Sequence, residues 1–149
     1  MAEKTFHCSV VTPTEKLIEG EMTYASVPAW DGLFGVLPSR APLLARLGLG
    51  ELQLHNAAVD GSPGGEQSFL IDGGFVKMAD NNLTILAERA IPADQLTLTD
   101  AEAELAEAEA RTVPADAQNL AAQQTKIRQD VARAQLKVRM AKDIQTQGI

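Results

Sequence analysis

The sequence predicts an α+β fold: an N-terminal antiparallel β-sandwich over residues 1–92, followed by a C-terminal antiparallel two-helix hairpin over residues 93–149. Short β-prone runs separated by turn signals fill the first part, a spacing typical of antiparallel sandwiches or barrels. After Ala90-Ile91-Pro92 the composition changes to Ala, Glu and Leu, with apolar residues at spacings of three and four. Val113-Pro114 then divides this part into two helices, because proline lacks the amide donor that a helix interior needs.

The predicted strands are short segments of alternating or β-branched apolar residues. They cover residues 5–11, 17–27, 51–55, 68–71, 75–78 and 83–86. Asp80-Asn81-Asn82 joins the last two, since its short polar side chains tolerate the positive φ angles of a tight hairpin. Trp30-Asp31-Gly32 and residues 60–65 mark further turns, and Gly73-Gly74 is predicted as a bulge or a turn.

The two predicted helices each have one apolar stripe. The first helix, within residues 94–112, carries Leu98, Ala101, Leu105 and Ala108. Thr99 and Glu102 resemble a capping box at its start, with Asp100 as a competing cap. The stripe of the second helix consists of Ile127, Val131, Ala134, Val138 and Ala141, and Gly148 is predicted to end it.

Charge separates by sign between these helices. The first is mainly acidic, and the second carries a set of basic residues: Lys126, Arg128, Arg133, Lys137, Arg139 and Lys142. One interpretation is a solvated pair of helices that attract each other. The other is that the basic helix leaves its acidic neighbour for another acidic surface. Because alanine dilutes both stripes, the hairpin is expected to be only marginally stable alone.

Composition excludes several classes of protein. A net charge of −7 and 4% aromatic residues argue against nucleic-acid binding, which needs a basic face or stacking platforms. Cys8 is the single cysteine, so an intrachain disulfide is impossible and a reducing, cytoplasmic compartment is expected. We expect no membrane span, because no apolar run approaches ~20 residues. We also expect no signal peptide, because no long apolar region follows Lys4.

Catalytic and ligand-binding motifs are missing. The chain has neither a phosphate-binding G-x-x-x-x-G-K-[ST] loop nor a G-x-S-x-G nucleophile elbow. His7 and His55 each stand alone on a predicted strand, and Cys8 is expected to be buried in one. We therefore expect neither an enzyme nor a metal site nor a cofactor.

Several segments, in their order, resemble the epsilon subunit of bacterial F-type ATP synthase over nearly the whole chain. The segments are Val10-Val11-Thr12-Pro13, Gly35-Val36-Leu37-Pro38, Ala41-Pro42-Leu43-Leu44, Leu70-Ile71-Asp72-Gly73-Gly74-Phe75 and Leu83-Thr84-Ile85-Leu86-Ala87-Glu88-Arg89-Ala90. The resemblance implies a non-catalytic rotor subunit of the central stalk that links gamma to the c-ring and couples proton flow to ATP synthesis. It implies three partners, namely gamma, the c-ring and, through the hairpin, the alpha/beta catalytic head. It also implies a peripheral place on the cytoplasmic side of the bacterial plasma (inner) membrane, reached only through the complex.

The resemblance also implies a c-ring contact at the base of the sandwich. Its residues are Asp31, Leu33, Ser39 and Arg40. Many relatives have His in place of Arg40, and some have an acidic residue at Leu33, so this contact carries a permanent charge and an apolar residue. Pro38 and Pro42 each fix their own φ angle, so the loop that contains Ser39 and Arg40 is expected to be stiff. We expect Ser39 and Arg40 to point outward, while Leu43 and Leu44 serve mainly the core.

Two properties of the hairpin follow from the resemblance. Relatives that bind ATP carry an Ile-Asp-x-x-Arg-Ala pattern and a further arginine, where this chain has residues 96–101 and Glu107. We therefore expect no nucleotide-binding site, because acids repel phosphate. In relatives that inhibit ATP hydrolysis, the hairpin extends and its basic residues meet an acidic segment of beta. The corresponding inhibitory residues are Lys126, Arg128, Arg133, Lys137 and Arg139.

An alternative from another class is a free ligand-binding β-sandwich with a helical dimerisation tail. This alternative requires a concave site lined by aromatic residues, and Trp30 and Tyr24 alone make a poor one. A small enzyme is a third class, but it requires a buried polar constellation that the sequence does not suggest.

Overall fold

The computed structural model describes residues 4–57 and 65–147, with side chains up to residue 143. The chain divides into two compact units, Met1–Pro92 and Ala93–Ile149. The first contains strands and the second contains helices, which confirms the predicted fold class. The strands of the described residues are β1 (Phe6–Val11), β2 (Lys16–Ala29), β3 (Gly32–Val36), β4 (Leu43–Asn56), β5 (Glu66–Ala79), β6 (Asn82–Ala87) and β7 (Ala90–Pro92).

Five of these strands close into a ring. They pair in the order β1, β6, β5, β4 and β2, and β2 pairs with β1 again. β3 extends the sheet from β2, and β7 pairs with β5. Every pair is antiparallel as predicted except β1–β6, which is parallel. This exception follows from parity, because strand directions cannot alternate all the way around a ring with an odd number of strands.

β4 and β5 are longer than predicted. β4 begins at Leu43, so the stiff loop is confined to residues 37–42. β5 runs as one strand through Gly73 and Gly74, whose φ angles of +82° and +121° bend it. A Cβ atom on Gly74 would overlap the carbonyl oxygen of Leu86 on β6. Glycine is therefore needed there, both for its φ angle and for the close approach of β6.

The predicted hairpin between β5 and β6 is confirmed. Asp80 and Asn81 have φ angles of 51° and 61°, as a type I′ turn requires at its two central residues. Trp30 and Asp31 form the predicted turn between β2 and β3. The predicted turn at residues 60–65 lies, apart from Gly65, outside the described residues.

The inward-facing side chains of the ring form its core. The largest fully buried members of this core are Phe6, Met22, Leu52, Leu54, Ile71, Met78, Leu83 and Ile85. Cys8 is buried among them as expected, and burial raises the pKa of its thiol to about 12. The thiol is therefore neutral and unreactive at physiological pH.

The helical unit consists of a 3₁₀ turn (Ala93–Gln95), α1 (Leu98–Ala110) and α2 (Leu120–Gln147). The predicted capping box is wrong, because α1 begins earlier and Thr97, with φ −114° and ψ 140°, is its N-cap. Asp100 instead lies in the first turn, where its charge complements the helix dipole. The break before Pro114 is confirmed, whereas Gly148 lies outside the described residues. In the described part of the chain, neither helix is long and apolar enough to cross a bilayer.

Small residues line the buried stripes of both helices. Ala101 and Ala108 of α1 are buried, as are Ala134 and Ala141 of α2. The other predicted stripe residues are half-buried: Leu98, Leu105, Ile127, Val131 and Val138. Leu136 and Met140 are also buried, which makes the apolar stripe of α2 wider than predicted.

We expect the hairpin to lose stability in acid. Burial disfavours the Asp130 carboxylate, but hydrogen bonds from Arg133 (3.0 Å) and Arg111 (2.8 Å) outweigh it and lower its pKa. A carboxyl whose pKa is lowered by folding stabilises the fold above its unfolded pKa, ~3.9 for aspartate. This stabilisation is lost as the pH falls through the lower pKa of the folded state. Thermal melting followed by far-UV circular dichroism at several pH values measures it.

Asp130→Asn is the matched variant for this prediction. It should lower the melting temperature at neutral pH and flatten the loss of stability between about pH 5 and pH 2. Superimposable pH profiles of the variant and the unmodified chain would show that this carboxylate does not stabilise the hairpin.

Candidate functional site

The four predicted c-ring contact residues lie on or beside β3, which is an edge strand. Asp31 lies in the turn before β3, Leu33 lies on it, and Ser39 and Arg40 lie in the loop after it. All four side chains are exposed. We call residues 30–40 the edge surface. The first and last Cα atoms of β3 are ~13 Å apart at ~3.3 Å per residue.

The loop at residues 37–42 is held from within and from outside. Its proline at position 38 is followed by Ser39 with φ 66°, the order found in a type II turn. The Ser39 amide donates a hydrogen bond to Oδ1 of Asn81, at 2.8 Å. The Arg40 guanidinium lies over the Phe34 ring, 5.7 Å from its centroid, within cation–π range. The loop is therefore stiffened by contacts as well as by prolines.

Three residues of this region were not predicted as part of the c-ring contact. Trp30 and Leu37 are 69% and 61% exposed and add apolar area to the edge surface. The exposed Trp30 and Leu37 gain meaning only together with Leu33, because a contiguous exposed apolar patch, and not a single exposed residue, marks an interface. Asn81 holds the loop from a hairpin far away in sequence, and local sequence gives no signal for that contact.

A second candidate surface lies on the outer face of β4, β5 and β6. Phe75 pairs across the sheet with Leu86, and both are half exposed. Leu44 on β4 is 71% exposed, so the expectation that it serves the core is wrong, whereas Leu43 packs partly against the core. The reason is the alternation of β4, which points neighbouring side chains to opposite faces.

A groove of about 270 Å³ adjoins this outer face. We call it the side groove, and its apolar lining is completed by the end of β1 and the segment after it. Its lining residues are Val11, Thr12, Pro13, Gly74, Phe75, Leu86, Ala87 and Glu88.

The five predicted inhibitory residues on α2 fall into two groups. Lys126, Arg128 and Arg139 are exposed. Arg133 and Lys137 are instead bound within the hairpin. Arg133 bonds to Asp130 of its own helix, while Lys137 reaches Glu104 of α1 at 2.9 Å. Glu107 stands where relatives that bind ATP have an arginine, and its carboxylate pairs with the Arg111 guanidinium at 3.2 Å.

The remaining titratable and aromatic candidates have structural contacts. His7 lies 3.4 Å from Glu19, and a hydrogen bond from Lys16 lowers the pKa of Glu19. Tyr24 packs edge-on against His55, with ring centroids 5.3 Å apart. Among the described residues, no group of three or more His, Cys, Asp or Glu side chains is placed to hold a metal ion. Trp30 is exposed in the turn before β3, whereas Tyr24 packs against His55.

Comparison with known families and proteins matches these features. The beta-sandwich domain of the ATP synthase delta/epsilon chain family matches residues 5–93. An ATP synthase epsilon chain from Leptospira interrogans is 36% identical over 130 residues, which cover 86% of this chain and 95% of the relative. The Rhodopirellula baltica epsilon chain is 36% identical over 104 residues, which cover 70% and 77% respectively.

Solved structures share the fold at low identity. One chain of the Euglena gracilis mitochondrial ATP synthase (OSCP, F1 and c-ring) has a TM-score of 0.66 at 14% identity. The match covers 100% of this chain and 84% of that one. One chain of the Tetrahymena thermophila mitochondrial ATP synthase central stalk and c-ring has a TM-score of 0.57 at 16% identity. That match covers 95% and 99%. The similarity in sequence and family therefore establishes that this chain belongs to the ATP synthase epsilon chain family.

Proposed function

We propose that this chain is the epsilon subunit of a bacterial F-type ATP synthase, a non-catalytic rotor subunit that links gamma to the c-ring and couples proton flow to ATP synthesis. The observation that carries the proposal is the arrangement of two separate exposed surfaces on one closed ring of strands. The edge surface runs along β3, and the side groove opens between β1, β5 and β6. Membership of the epsilon chain family supports the same role.

The edge surface is the proposed contact with the c-ring. It presents a stiff loop, so little conformational entropy is lost when the loop is bound. Arg40 contributes a permanent positive charge to a surface that also exposes Leu33 and Leu37. Such a mixture of charge and apolar area suits the polar loops that join membrane helices.

The side groove, lined in part by Phe75, is the proposed contact with gamma together with Leu44 on the same outer face. Exposed apolar residues that cluster on one face of a sheet favour a protein partner over water. Because the groove and the edge surface lie on different strands of the same unit, both partners can be held at once. A closed ring of hydrogen-bonded strands then transmits rotation between them with little deformation.

The hairpin is the proposed regulator of ATP hydrolysis in the alpha/beta catalytic head. Lys126, Arg128 and Arg139 are exposed while the hairpin is folded. Arg133 and Lys137 become available to an acidic partner only when their ion pairs with Asp130 and Glu104 open. In this proposal, the three exposed residues make the first contact with the head. Arg133 and Lys137 bind it only after the hairpin has opened. In this proposal the subunit is peripheral, on the cytoplasmic side of the bacterial plasma membrane, and is held there through the complex.

Charge reversal tests the assignment of surfaces. Arg40→Glu should weaken binding of the full-length chain to the detergent-purified c-ring of its own ATP synthase by about tenfold or more, because a point charge of opposite sign faces the partner. Lys126→Glu is the matched reversal on the hairpin and should leave c-ring binding unchanged. Equal affinities of both variants for the c-ring would contradict the proposed contact.

ATP hydrolysis by the matching catalytic head tests the regulatory role. The full-length chain should lower the rate, while a chain ending at Ala93 should bind without lowering it. Lys126→Glu should relieve part of the inhibition. If neither chain changes the rate, the subunit couples the rotor without acting as a brake.

A further inference from the structure

We propose that Asn81 is the positioning residue of the c-ring contact: its side chain holds the loop at residues 37–42 in the shape that presents Ser39 and Arg40. This inference rests on the proposed function, since it specifies what shapes the edge surface. Asn81 itself lies in the β5–β6 hairpin, outside the surface that it positions.

Asn81 joins three separate segments of the chain. Its Oδ1 accepts the hydrogen bond of the Ser39 amide at 2.8 Å, across 42 residues of sequence. Its Nδ2 donates to the carbonyl oxygen of Thr5 at 2.8 Å, across 76 residues. Its own carbonyl oxygen accepts the amide of His7 at 3.1 Å. The loop is thereby tied to the start of β1 and to the hairpin through one side chain.

The loop needs this external tie because its own sequence does not fix it fully. Ser39 has φ 66°, a region that favours glycine or asparagine and that serine rarely adopts. The flanking prolines fix their own φ angles and restrict the residues before them, Leu37 and Ala41, but they do not restrict Ser39. A hydrogen bond to the Ser39 amide holds the strained residue itself, and the neighbouring Arg40 is thereby kept over Phe34.

The tie is not required by the hairpin that carries it. A type I′ turn needs positive φ at its two central residues, and Asp-Gly satisfies that need as well as Asp-Asn does. The neighbouring Asn82 differs from Asn81, because its side chain bonds within the hairpin: its Nδ2 donates to the Asp80 carbonyl oxygen. Asn81 adopts the positive φ that the turn requires, and its side chain also offers an acceptor and a donor to segments outside the hairpin.

Asn81→Gly in the full-length chain tests the proposal, because glycine keeps the turn and removes both side-chain bonds. Hydrogen exchange of the Ser39 amide, followed by NMR in the free protein, should become about two- to tenfold faster. Affinity for the detergent-purified c-ring should fall by a similar factor, while affinity for gamma stays unchanged. The lost bond to Thr5 should lower the melting temperature by several degrees. Asn81→Asp keeps an acceptor for the Ser39 amide and should retain slow exchange. Asn82→Thr deletes only the local bond and should behave like the unmodified chain.

A double-mutant cycle separates positioning from a general effect on stability. Arg40→Ala should reduce c-ring affinity less in the Asn81→Gly background than in the unmodified chain, because the contact is already misplaced. If Arg40→Glu weakens c-ring binding as expected, strictly additive effects in the cycle, or unchanged Ser39 exchange in Asn81→Gly, would overturn the role of Asn81. If Arg40→Glu itself has no effect on c-ring affinity, the proposed contact fails and the positioning role fails with it.

Discussion

Gly74→Ala should lower the free energy of unfolding of the sheet unit by about 3–5 kcal/mol. A Cβ atom there would overlap the carbonyl oxygen of Leu86 and lie 2.9 Å from Cα of Ala87. The φ angle of +121° adds strain for any residue with a side chain. Both neighbours are backbone atoms of β6, so relief requires β5 and β6 to separate. Urea denaturation followed by NMR signals of core methyl groups measures the loss.

Gly20→Ala is the matched control for this substitution. Gly20 also lies within a strand, but a Cβ atom there would meet only the flexible methyl group of Met22, at 4.0 Å. We expect its effect to stay within about 1 kcal/mol. Equal stabilities of the two variants would mean that β6 does not approach β5 as closely as described.

Leu54→Ala should destabilise the sheet unit by about 2–5 kcal/mol, because Leu54 is fully buried in the ring and its truncation leaves a cavity. Leu44→Ala makes the same chemical change on the same strand at an exposed position. We expect it to change stability by less than about 0.5 kcal/mol and to reduce affinity for gamma instead. Urea midpoints and gamma binding, measured for both variants, test the two expectations together.

The pair also tests which face of β4 is internal. A large loss of stability for Leu44→Ala would place Leu44 in the core and would remove it from the proposed gamma contact.

Local sequence predicted those parts of the fold that depend on local chemistry. The hairpin at Asp80-Asn81 follows from side chains that tolerate positive φ, and the end of α1 follows from the nearby proline. β4 was recognised only in part, because Gly48 and Gly50 resemble turn residues. Their actual role is to admit β2, since added Cβ atoms would meet the Ala29 carbonyl oxygen at 2.9 Å and Pro28 at 2.5 Å. Contacts between distant strands leave no local signature.

The same distinction between local and long-range features applies to the candidate site. Asp31, Leu33, Ser39 and Arg40 are consecutive enough in sequence for a family resemblance to mark them, and all four are exposed. The bond from Ser39 to Asn81 joins residues that are far apart in the chain, so no local pattern indicates it. The sequence likewise predicted only the sign of the charge on each helix, and not the ion pair between Lys137 and Glu104.

The parallel pair of β1 and β6 has a consequence for how the chain folds during synthesis. His7, near the start, pairs with Asn82, near the end of the sheet unit. β1 therefore leaves the ribosome long before one of its two neighbours exists, and the ring cannot be sealed until β6 has emerged. Contacts between such distant segments slow folding, whereas the helical hairpin needs only local ones. We therefore expect the sheet unit to fold more slowly than the helical hairpin, and to do so only after β6 has emerged.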